Sequence, residues 1–105
     1  APKISTEMRK INFNLKCKII LNKIKAFSPL PSAWFFYKNE RIKIIKATFV
    51  IGFCKSSTVI NNKFDIGCKD GRICPEIIQR EGKKPMHTKD FLRGFKFEIN
   101  TQVNA

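Results

Sequence analysis

Two prolines separated by one residue, Pro29 and Pro31, divide the chain into segments with different hydrophobic periods. Neither can donate a backbone N–H, and each pushes the residue before it toward extended geometry, so a helix entering this stretch has to stop there. Upstream, Ile20, Ile24 and Phe27 recur at i, i+4 and i+7, joined by Cys17 and Leu21. That is one apolar face of a 3.6-residue helix. It predicts a helix over residues 15–27, with Asn14 capping its first turn. Downstream, short apolar stretches at 33–37, 41–50, 58–60, 64–68 and 73–79 alternate with turn-forming residues and predict strands.

The stretch 41–50 breaks its alternation at Ile44-Ile45. A one-residue bulge there puts Arg41, Lys43, Lys46 and Thr48 on one face and turns Ile42, Ile44, Ala47 and Phe49 to the core. Pro75 within the last strand is expected at an edge or a bulge. Asn61-Asn62-Lys63 and Asp70-Gly71 mark hairpin turns. Thr88 is expected to cap a short helix that stops at Gly94, and the tail from Lys96 on is expected to fray. Helix, five or six strands, short helix, in 105 residues, predicts a mainly β fold. The expected form is a small OB-like antiparallel β-barrel with an N-terminal α-helix and a short C-terminal helix. Residues 1–13 read as a linker, 14–96 as the barrel domain and 97–105 as a tail.

Charge narrows the function. Lys and Arg number 21 against 8 Asp and Glu, for a net charge of +13. A surface that positive repels itself unless a polyanion supplies the missing charge. Only five of the basic residues are arginine: Arg9, Arg41, Arg72, Arg80 and Arg93. Drift toward A/T-rich codons accounts for lysine over arginine, but less well for the scarcity of acids.

Catalytic and metal chemistry find little support. His87 is the only imidazole, in a loop with no evident partner. Gly82-Lys83-Lys84 lacks the upstream glycine of a phosphate-binding loop. Cys17, Cys54, Cys68 and Cys74 include no CxxC pair, so no metal site is expected. Buried free thiols in a reducing cytosol are expected, the alternative being the disulfide frame of a small secreted protein. No apolar run reaches the roughly 18 residues of a membrane span. Trp34-Phe35-Phe36-Tyr37 suits either base stacking or core packing. Alternation assigns it to the core, with Tyr37 the most exposed of the four.

A family resemblance extends over residues 1–94. Ala1-Pro2-Lys3-Ile4 with Glu7 resembles the linker that leaves the catalytic domain of methionyl-tRNA formyltransferases. Ile11-Asn12-Phe13, the helix end Ile24-Lys25-Ala26-Phe27 and the corner Pro29-Leu30-Pro31 follow in the family's order. So do the basic strand Ile42-Lys43-Ile44-Ile45-Lys46-Ala47, the turn Asp70-Gly71, Gln79 with Gly82-Lys83-Lys84-Pro85-Met86, and Asp90-Phe91-Leu92 with Gly94. Departures are Leu30 for the usual Trp, Lys25 for Arg, Asn12 for an acid, and a 52–57 loop without the expected Pro-Gly.

The resemblance implies a C-terminal, tRNA-binding domain that has no catalytic residues of its own. The parent enzyme would move a formyl group from 10-formyltetrahydrofolate to methionyl initiator tRNA. Its catalytic Asn, His and Asp, and the folate, would belong to an N-terminal Rossmann-like domain in the same polypeptide. Expected partners are therefore initiator tRNA and that domain, with no membrane and no metal, in the cytoplasm. The expected tRNA-binding face joins Arg41, Lys43 and Lys46 on the long strand to Lys83 and Lys84 in the loop. Lys3, Arg9 and Lys10 in the linker, and Lys23 and Lys25 on the helix, are further candidates. The alternative function is a general RNA- or anion-binding basic module.

Overall fold

The 3.6-residue stripe becomes a helix, α1 (Cys17–Phe27), in the computed structural model, which describes residues 7–28 and 32–104. The Pro29-Leu30-Pro31 corner and Lys3 lie outside the described residues. Cys17, Ile20 and Ile24 are the buried positions of α1. The helix starts two residues later than the pattern predicts, and Asn14 does not cap it. The Asn14 N–H instead closes a local turn onto Asn12 Oδ1 at 3.0 Å. The cap arrives from far along the chain: the Cys17 N–H donates to Asp70 Oδ1 at 2.8 Å. A carboxylate there satisfies an orphan donor and suits the positive end of the helix dipole.

Five strands follow: β1 (Ala33–Tyr37), β2 (Glu40–Ile51), β3 (Ile66–Cys68), β4 (Gly71–Arg80) and β5 (Met86–His87). All pairings are antiparallel, in the order β1-β2-β4-β3, with β5 also on β4. The expected irregularity is present in β2. Its register against β4 shifts between Ile44 and Lys46 and again between Lys46 and Ala47. Ile42 and Ile44 are fully buried and Ala47 nearly so, while Lys46 and Thr48 are exposed and Arg41 and Lys43 half-buried. Pro75 sits opposite Ala47 at the second shift. It also falls in the gap between the pairing of β4 with β3, which ends at Ile73, and with β5, which involves Ile77 and Ile78. No ladder bond is asked of its missing N–H there. A Cβ on Gly71 would run into the Val50 carbonyl, so glycine is what lets β4 start this close to β2.

The stretch 58–60, expected as a strand, makes only isolated bridges, Thr58 to Gln102 and Val59 to Ile66. The strand expected from 64 begins at Ile66, because Phe64 turns the chain with φ 65°. A left-handed conformation costs a non-glycine residue roughly 1–2 kcal/mol. Packing holds Phe64 in it. Phe64 is fully buried and is the hub of a ring cluster, with centroids of Phe97 at 5.0 Å, Tyr37 at 5.5 Å, Phe91 at 5.6 Å, Phe95 at 6.0 Å and Phe35 at 6.1 Å. A short helix, α2 (Thr88–Gly94), brings Phe91 to this cluster. It begins at Thr88 rather than after it: His87 occupies the cap position, and no side chain caps the helix.

Three further expectations are corrected. Tyr37 is buried, not exposed. It shares the inward parity of Phe35, and its hydroxyl accepts the Glu98 N–H at 3.0 Å. The tail that supplies this bond is not frayed. Val103 is 1% exposed, and the Val59 backbone bonds Thr101 O at 2.9 Å and Asn100 N at 2.7 Å. Nor are all four cysteines free. Cys17 and Cys68 form a disulfide across 51 residues, leaving Cys54 and Cys74 as thiols. Periodicity shows that a cysteine faces inward; it does not show which other inward residue it meets. The result is a mainly β, OB-like antiparallel sheet curled into a half-barrel, with α1 at its N-terminal end and short α2 late in the chain.

Candidate nucleic-acid interface

The bulge in β2 decides which basic residues face solvent. Lys43 and Lys46 stand on the outer side of the strand, and the register places Lys43 directly opposite Gln79 of β4. Gln79 reaches past the strand end: its Nε2 donates to the Lys83 carbonyl at 2.7 Å. The Lys83 N–H bonds Arg80 O at 3.0 Å, and Gly82 takes the left-handed position of the turn, with φ 76°. Together these bonds hold the turn at 81–85 beside the Lys43 strand. Lys83 and Lys84 are exposed and enter no ion pair among the described residues. Lys46 lies 3.6 Å from Glu76, with the two side chains 66% and 42% exposed. An exposed pair of this kind is worth only about 0–1 kcal/mol, so Lys46 can exchange Glu76 for a phosphate at little cost.

Four other expected residues are engaged in contacts among the N-terminal segment, α1, β1 and β2. Arg9 Nη1 donates to the Ser32 carbonyl at 2.7 Å. Lys23 Nζ donates to the Lys10 carbonyl at 2.8 Å. Lys10 makes a parallel bridge to Trp34, and its ammonium stands 5.7 Å from the Trp34 ring and 5.4 Å from Phe36. The Arg41 guanidinium lies 4.4 Å over Trp34, and its buried Nε has no hydrogen-bond partner among the described residues. Trp34 is on the outer side of the sheet yet 0% exposed, with these cations and the Phe36 ring, at 4.9 Å, packed against it. Cation–π contacts contribute about 0.5–2 kcal/mol each. Lys25 is exposed in the last turn of α1, and no ion pair ties it to the strand residues among those described.

Sequence reasoning passed over Lys63, Arg72 and Lys89. They gather around a groove of about 460 Å³ between β2, β4 and α2. Arg72 Nε is 3.2 Å from Asp65 Oδ2, a carboxylate that also accepts from Asn61 Nδ2 at 2.9 Å. Burial pushes the neighbouring Cys74 thiol up, and the negative Asp65 beside it adds to the shift, so this thiol stays protonated and is a poor nucleophile. The outward parity of Arg72 on β4 was readable; the return of α2 alongside it was not. Only Cys17, Cys68 and Asp70 cluster tightly enough among the described residues to suggest metal ligands, and two of those sulfurs are bonded to each other. His87 is exposed at the start of α2.

The formyl transferase, C-terminal domain family matches residues 3–96. The methionyl-tRNA formyltransferase of Sinorhizobium fredii is 34% identical over 107 residues, covering 98% of this chain and 34% of the relative. That of Rhizorhabdus wittichii is 36% identical over 105 residues, with the same coverage. The chain thus spans about a third of the length of the curated relatives it matches. Among solved structures, a multiply substituted HypX from Aquifex aeolicus gives a TM-score of 0.71 at 18% identity, over 96% of this chain and 22% of HypX. HypX in complex with tetrahydrofolic acid gives 0.68 at 16% identity, with the same coverage. At such identities the likeness is one of fold.

Proposed function

Because this chain belongs to the formyl transferase C-terminal domain family, we propose that it is the domain with which a methionyl-tRNA formyltransferase grips its tRNA. The observation that carries this reading is the turn bearing Lys83 and Lys84, braced by Gln79 beside Lys43 and Lys46. Two lysines on the outer side of β2 and two on the turn braced beside it suit a ribose-phosphate backbone, whose recognition depends on many modest charge contacts. A-form stems are read by shape, phosphate and 2′-hydroxyl rather than by base edges in the deep groove. Flexible point charges such as lysine serve that purpose.

On this reading the chain contributes binding and orientation, not bond making. The formyl group of 10-formyltetrahydrofolate and the residues that transfer it belong to an N-terminal domain in the same polypeptide. Initiator tRNA is the nucleic-acid partner and the cytoplasm the place of action, at translation initiation. Filter binding of tRNA to the 105-residue chain across a salt series tests the proposal. If four to six phosphates are contacted, log Kd should vary with log salt with a slope of about 3–5. A flat response would discard the reading. Competition by unrelated duplex RNA as strong as by initiator tRNA would favour a general RNA-binding module instead.

A further inference from the structure

The groove flanked by Lys63, Arg72 and Lys89 contains an unexplained hydroxyl. Thr88 lines it, is 6% exposed, and its Oγ1 has no hydrogen-bond partner among the described residues. Thr88 does not cap α2, so the helix gives no reason for a hydroxyl here; valine would fill the same space without leaving a buried polar atom unsatisfied. The volume, about 460 Å³, is in the range of small-ligand sites.

The lining restricts what can enter. Pro75 and Leu92 offer apolar surface, Asp65 and Glu76 offer carboxylate acceptors, and Lys63 and Lys89 offer exposed cations. A bare phosphate would meet both carboxylates. A purely apolar group would leave Thr88 unsatisfied and bury it beside charge. A flat heterocycle with hydrogen-bonding edges and an anionic tail satisfies every part of the wall. The groove is also continuous with the basic face, because Thr48 in its wall follows Lys46 on the outer side of β2, and Glu76 in its wall is the ion-pair partner of Lys46.

We propose that this groove holds one unpaired nucleotide of the bound RNA. The base lies against Pro75 and Leu92, its polar edge meets the Thr88 hydroxyl and the carboxylates, and its phosphate meets Lys63 and Lys89. The choice of RNA as the source rests on the tRNA-binding reading; the choice of a nucleotide rests on the groove.

The test is a titration of the 105-residue chain with AMP, GMP, CMP, UMP and, separately, inorganic phosphate, followed by amide NMR shifts. Saturating shifts at Cys74, Thr88, Lys89 and Leu92 are expected with at least one nucleotide, and at least tenfold weaker binding of phosphate. Thr88→Val, which removes only the unpartnered hydroxyl, and Thr48→Trp, which fills the groove from an exposed strand position, should each raise that nucleotide's Kd fivefold or more while melting no lower than the parent. Unmoved groove amides, phosphate binding as tight as any nucleotide, or an unchanged Kd in both folded variants would overturn the proposal. Salt-sensitive tRNA binding that leaves the groove amides unmoved would sink the groove and spare the tRNA reading. Nucleotide binding in the groove without tRNA binding would remove tRNA as the source.

Discussion

Asp70 caps a helix that begins 53 residues before it, with its Oδ1 2.8 Å from the Cys17 N–H. The adjoining Gly71 opens β4 against β2, so one turn both starts a strand and finishes a helix. Asp70→Ala removes the only side-chain acceptor described at that end of α1. Loss of a cap of this type should lower stability by about 1–2 kcal/mol. Urea denaturation measures this as a lower midpoint at unchanged slope; an unchanged midpoint would show that the bond is incidental.

Lys83 and Lys84 carry no competing ion pair among the described residues, so their charge is available to a ligand. Reversing both, Lys83→Glu with Lys84→Glu, should weaken tRNA binding at least tenfold at low salt and reduce the salt slope by about 1–2. Stability should change by no more than about 0.5 kcal/mol, as at most exposed sites. Filter binding and a thermal melt on the same protein separate the two effects.

Arg41 should behave in the opposite way. Its guanidinium covers Trp34, the sole tryptophan. Arg41→Ala should cost about 1–2 kcal/mol in stability through the lost contact and shift the intrinsic fluorescence to the red as water reaches the indole. Unaltered emission would mean that the ring is shielded by other groups.

The Cys17–Cys68 link gives a chemical prediction. Protein purified without reductant and then denatured should show two reactive thiols, Cys54 and Cys74. A cross-link closing 51 residues restricts the unfolded chain, which corresponds to at most about 4 kcal/mol of stability lost on reduction. Four reactive thiols would show that the pair is reduced in solution, as a cytosolic protein would keep it.

Local pattern revealed what faces where. The doublet Ile44-Ile45 disclosed the irregularity in β2, and with it the outward positions of Lys43 and Lys46. The oddity of Pro75 disclosed a break in pairing, and the α1 stripe its buried side. Partnership between distant segments was hidden. Tyr37 reads as exposed until Glu98 arrives over it, and Thr88 reads as a cap until His87 is found in that place. Arg9, Lys10, Lys23 and Arg41 look like phosphate ligands in a count of charges. Yet Arg9 holds the Ser32 carbonyl 23 residues away and Lys23 the Lys10 carbonyl 13 residues away, contacts that no local window contains. The same holds for the candidate site: its lysines were legible, but Gln79 as the brace between them was not.

Asn104 bonds the Phe36 backbone on both sides, N–H to carbonyl at 2.8 Å and Oδ1 to N–H at 2.9 Å, and its Nδ2 reaches Ile11 O at 2.8 Å. Segments 93 residues apart are thereby stitched at one strand. A ribosome making this chain cannot let that seam close until residue 104 has emerged. Nascent β1 must wait with its edge unpaired there, which makes slow completion of folding, and dependence on the arrival of Asn104, built-in properties of the design.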